Sequence, residues 1–114
     1  MTLESTLLDY IRKYPGASYP NLQSAAEQAG FDTRGDIVLA HGDFPTLIFW
    51  GGMSAAFAGA ILSLLQSGLV KERPTCLLVY LVDGGLLKHP VATTIKAYKE
   101  PHWLPTVFDP IKAA

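Results

Sequence analysis

Apolar residues recur with helical spacing in the first part of this chain. Leu3, Leu7, Ile11 and Tyr14, with Leu8 beside them, make one stripe on a helix that Thr2 caps and Pro15-Gly16 ends. Glu4 in its first turn and Arg12 and Lys13 in its last suit the helix dipole. Ser18-Tyr19-Pro20 opens a second helix with a narrow face of Leu22, Ala25, Ala26 and Ala29, stopped by Gly30. Asp32–Gly35 is turn chemistry. Two β-rich runs follow, Ile37–Ala40 and Thr46–Trp50, and read as a hairpin or two edge strands. The longest uncharged apolar stretch, Met53–Val70, then reads as a helix over 53–67, with Ser54 as its cap and Gly68 as its stop. Wound at about 100° per residue, it places Met53, Phe57, Ile61, Leu64 and Leu65 on one side. Ala55, Ala56, Gly59, Ser63, Gln66 and Ser67 fall on the other.

Beyond Gly68, Leu69–Arg73 and Cys76–Val82 read as two strands closed by Asp83-Gly84-Gly85. The second is apolar on both sides and so calls for cover on both. Residues 86–114 change character. A short helix is expected over Val91–Tyr98, and the proline-interrupted 99–110 should be extended, because the residue before each proline is pushed out of the α region. Trp103, Leu104, Val107 and Phe108 make that segment too apolar for a free tail. It should strap across its own domain or a partner.

Composition narrows the class. The 114 residues are 49% hydrophobic and 17% charged, enough for one domain with a filled core and too apolar for disorder. Net charge is −1, so there is no global attraction to phosphate backbones, and any nucleic-acid contact rests on a local patch. The single Cys76 excludes an intrachain disulfide and suits a reducing compartment; with an N-terminus unlike a signal peptide, this predicts a cytoplasmic protein. A window over Leu47–Leu65 is apolar enough to suggest a membrane span. Gly51-Gly52 divides it, however, and the two-faced helix that follows is unlike a lipid-exposed one, so no membrane association is expected.

The run ILSLLQSGLV followed by KERPTCLLVYLVDGG resembles the end of a winged helix-turn-helix domain. There the third helix closes on a leucine pair and a Gly-Leu-Val step leads into the wing. Here these are Leu64, Leu65, Gly68, Leu69 and Val70, with Tyr80 and Gly84 in the wing's return strand and exit. The resemblance spans 3–85 and is detailed over 54–85. It implies an α+β fold with three core helices, a small antiparallel sheet forming a hairpin wing, and an extended C-terminal strap, all in one domain. Two departures accompany it. About two dozen residues, 31–52 among them, separate the second and third helices, which usually sit a few residues apart. The helix in the recognition position also offers no Lys or Arg for reading bases.

The resemblance implies a non-enzymatic, DNA-associated regulatory protein gripping phosphates through basic residues of the wing, Lys71, Arg73 and Lys88, with Arg34 or Arg12 and Lys13 beside them. The other reading is a protein-interaction or dimerisation module. For that reading the small face carrying Ala55, Gly59 and Ser63, together with Trp103 and Phe108 of the strap, would be the interface with a second copy or another protein. No catalytic residue and no cofactor are expected. His41, His89, His102 and Cys76 lack metal-ligand spacing, and Cys76 is expected to be a buried thiol. His41-Gly42-Asp43 and Gly51-Gly52 read as turns.

Overall fold

In a computed structural model that describes residues 2–111, the chain forms an α+β domain with four helices and two small sheets among those residues. The last residues of the predicted strap, 112–114, lie outside the described residues.

Helix α1, Leu3–Lys13, begins where Thr2 and Ser5 cap one another reciprocally, and it buries Leu3, Leu7 and Ile11 as the stripe predicts. Tyr14 falls just past the helix end, leaves the stripe and stands half exposed, its ring tilted against Tyr10 with centroids 4.9 Å apart. Strand β1, Ala17–Ser18, leads into α2, Tyr19–Gln28, where Ser18 caps and Pro20 occupies the first turn. Leu22 and Ala26 of the small face are buried; Ala29 is exposed at the C-cap. The expected hairpin is present as strands β2, Arg34–Ala40, and β3, Leu47–Met53, paired antiparallel with bulges that break up the exposed edge of β2. Helix α3, Ala55–Gln66, follows, capped by the Ser54 hydroxyl, and Gly68 (φ +76°) stops the turn after it in the left-handed region.

Two elements depart from the sequence reading. Strand β4, Val70–Pro74, forms as expected, but the run expected to return as the wing's second strand is a helix, α4, Leu77–Asp83. The place beside β4 is taken by the C-terminal segment. Strand β6, Thr106–Pro110, pairs antiparallel with β4 on one side (Glu72 opposite Phe108) and with β1 on the other (Ala17 opposite Phe108). As a strand, residues 77–83 would need cover on both faces. As a helix ended by Gly84 (φ +84°) they bury Tyr80, rest Val79 against the core and turn Leu77, Leu78, Leu81 and Val82 outward.

The helix expected over Val91–Tyr98 is absent. Only Ala92 of that segment is fully buried, so it lacks the apolar stripe that would hold a short helix against the domain. It is instead tied down by single contacts: Val91 bridges to Trp103, and the Thr46 hydroxyl donates to the Tyr98 carbonyl at 2.8 Å. The strap is extended as expected and crosses its own domain. Strand β5, His102–Trp103, runs parallel to β3, and β6 completes the other sheet. Around Trp103 the main core gathers Leu7, Tyr19, Trp50, Phe57, Ile61, Tyr80 and Phe108. Leu47, Ala92 and Leu104 form a smaller cluster under the loops.

Candidate functional site

The four basic residues proposed for phosphate contact do not converge as free charges. Arg34, on β2, holds Glu27 of α2 with Nε at 3.0 Å from a carboxylate oxygen, and this pairing keeps the Glu27 carboxyl below its usual range. Arg73, on β4, is bound to Asp109 of the neighbouring strand, a bond that raises its guanidinium above the ordinary value. Lys71 and Lys88 are exposed. Asp109 also lies directly across the ladder from Lys71, so β4 and β6 carry a carboxylate among their cations.

The interface residues divide in a similar way. On α3, Ala55, Gly59 and Ser63 are exposed, as are Ala56, Leu62 and Gln66, so neither the hairpin nor the strap covers this face. Trp103 and Phe108 are spent inside the domain. The Trp103 ring stands edge-on to Tyr80 at 5.0 Å and its indole N–H donates to the Phe49 carbonyl at 3.1 Å; Phe108 meets the edge of Tyr19 at 5.0 Å. These two residues serve the fold rather than a partner. Cys76 is exposed at the start of α4, not buried in a strand. Among the described residues no group of histidine, cysteine or carboxylate side chains is placed to hold a metal ion. No described helix is long and apolar enough to cross a membrane.

Two features escaped sequence reading. The first is the solvent side of α4. Leu78, Leu81 and Val82 are 67%, 51% and 86% exposed, and Leu77 and, past the helix, Leu86 extend the patch. Tyr80 anchors the opposite side: its hydroxyl donates to the Thr106 carbonyl at 2.6 Å and accepts the Tyr19 amide at 3.3 Å. Asp83 is the one carboxylate of the helix, and it turns inward to accept a hydrogen bond from the Ser18 hydroxyl at 2.6 Å. The signal was the continuous apolar run Leu77–Val82, which length and periodicity alone assign equally to strand or helix.

The second is Glu72. In strand β4 side chains alternate, so Lys71 and Arg73 face out while Glu72 shares the inward side with buried Val70. Its carboxylate oxygen Oε2 accepts from the Tyr19 hydroxyl at 2.9 Å and from the Thr106 hydroxyl, and burial raises its pKa above the ordinary carboxylate value despite both donors. Burial likewise pushes the Tyr19 and Tyr80 phenols up. The alternation of Val70-Lys71-Glu72-Arg73 carried this signal, because a strict two-residue period puts Glu72 on the core side.

No family model, no curated protein and no solved structure matches the chain.

Proposed function

We propose that this protein is a winged-helix-like, non-enzymatic interaction module that self-associates through the outer face of α4. The winged-helix reading is supported by the strand order β1-β6-β4 beside helices α1–α3, with β6 standing where a wing's return strand would be. Residues 75–105 are then an insertion between the two wing strands. The observation that carries the interaction reading is the exposure of Leu78, Leu81 and Val82 on one short helix. With Leu77 and Leu86 the apolar patch is on the order of 500 Å², at the upper end of what a monomer ordinarily shows to water. Two such patches paired about a twofold axis bury about 1,000 Å², the lower bound for a specific interface. A second copy is the fitting occupant because the face offers no charge to orient a polar partner.

Area alone does not fix affinity, but an interface of this small size belongs with weak, reversible contacts. Sedimentation equilibrium should show a reversible dimer at tens of micromolar, and Leu78→Glu with Leu81→Glu should return the mass to the monomer without loss of helical circular dichroism. A wild-type chain that stays monomeric through several hundred micromolar would sink the proposal. A DNA-associated reading draws on one observation: β4 turns both Lys71 and Arg73 outward on the strand that follows the open face of α3. With Arg73 and Arg34 already paired, only Lys71 and Lys88 of the four wing candidates are left, enough for no more than weak, salt-sensitive binding. Absence of a mobility shift on generic duplex DNA at low salt would remove that reading.

A further inference from the structure

Beside Glu72 lies a cavity of about 200 Å³ that the interaction reading does not use. Phe49, Pro74, Ile95 and Leu104 supply most of its wall, with His41 and Glu72 as ionisable members of the lining. Both protein donors to the Glu72 carboxylate go to the same oxygen, Oε2. The other, Oε1, accepts no hydrogen bond from a described residue, yet is not sealed away as an unsatisfied buried atom. No cationic side chain pairs with this carboxylate among the described residues. Its position is also fixed. Tyr19 and Thr106, which hold Oε2, are themselves fully buried, and β4 and β6 bond on either side of the pair. The result is a preset acceptor in the wall of a pocket that is apolar on the side of Phe49, Ile95 and Leu104 and polar at His41, Glu72 and Thr106, with one oxygen unspent.

We infer that this cavity is a binding site for a small alkylammonium group, with the ammonium on Glu72 Oε1 and the alkyl chain against Phe49, Leu104 and Ile95. Charge assigns the sign of the ligand, because an ammonium adds ion pairing to its hydrogen bond with the carboxylate, which the neutral hydroxyl of an alcohol does not. Volume assigns its size. The cavity holds about six or seven waters, or one unbranched chain of about four or five carbons, and is too small for a drug-sized molecule. The pocket stands apart from the exposed face of α4, so it can be occupied whether or not the chain self-associates.

The test is a heteronuclear NMR titration of the intact chain with n-butylammonium chloride at constant ionic strength, with n-butanol as the neutral counterpart. Saturable shifts centred on Phe49, Glu72 and Leu104 are expected with the ammonium, at least tenfold weaker binding with butanol, and at least tenfold weaker binding of the ammonium to Glu72→Gln. Ile95→Trp, a change at a half-exposed position, should fill the mouth and abolish binding while leaving the rest of the spectrum in place, so the test does not depend on Glu72→Gln folding. Repeating the titration with Nα-acetyl-lysine amide distinguishes a free amine from a lysine side chain as the source of the group. Non-saturating shifts, or equal affinity for butanol and butylammonium, would overturn the inference.

Discussion

Glu72 shows how one residue's setting reverses its meaning. Along the chain it is one more charge between Lys71 and Arg73; in the fold its neighbours point to water and it points inward. Burial raises its folded pKa above the unfolded value near 4.5, so the native state holds this proton more tightly than the unfolded chain does. The stability it contributes is therefore fully present below about pH 4.5 and is lost as pH rises through the raised folded value. Measured across that window, the denaturant midpoint of the wild type relative to that of Glu72→Gln should fall with rising pH. A midpoint difference between the two chains that does not change with pH would contradict the assignment. The Glu27–Arg34 pair acts in the opposite sense, since its carboxyl is lowered, but it is present in both chains and cancels.

At the scale of elements, the helices with a one-sided apolar stripe and a good cap were legible in advance. Thr2 and Ser54 cap the helices they were expected to cap, the second helix opens at Ser18-Tyr19-Pro20 as read, and Gly68 stops where it should. Helix α4 was not legible because its cap is silent. Cys76 holds the N-cap position without any side-chain hydrogen bond to the helix, and both faces of the following run are apolar. An aspartate there would supply the missing acceptor. Cys76→Asp should stabilise the domain by about 0.5–1 kcal/mol, read as a rise in thermal midpoint, because the position is exposed and its backbone is already extended. An unchanged or lower midpoint would argue that residues 77–83 are not held as a helix in solution. The candidate interface was missed for the same reason: a strand reading spreads Leu78, Leu81 and Val82 over two faces, and only the helix gathers them on one.

For the whole molecule, the C-terminal segment governs closure. Strand β6 lies between β1 and β4, so it joins the start of the chain to the middle, and the strap delivers Trp103 and Phe108 to the centre of the core. Ending the chain before His102 should leave β1 and β4 unpaired and expose the aromatic cluster. Such a chain is expected to show no cooperative unfolding transition, with loss of near-ultraviolet dichroism. Trp103→Ala in the full chain should cost about 3–5 kcal/mol by emptying the same place. A truncated chain that still melts cooperatively would mean that the helices close a core without the strap.

The sequence by itself determined the elements whose information is local. Caps, glycine stops and one-sided stripes specify α1, α2 and α3, and the turn-bounded β-rich runs specify the hairpin of β2 and β3. The same local logic made the strap extended, since the prolines allow little else. Only the tertiary structure decided which strand sits beside β4, because pairing depends on which segment can bury both neighbours, and Thr106–Pro110 competes for that edge from far along the chain. Once β6 had taken it, Leu77–Asp83 was left to coil. Trp103 and Phe108 went inside, and the outer side of α4 was left with Leu78, Leu81 and Val82 exposed together.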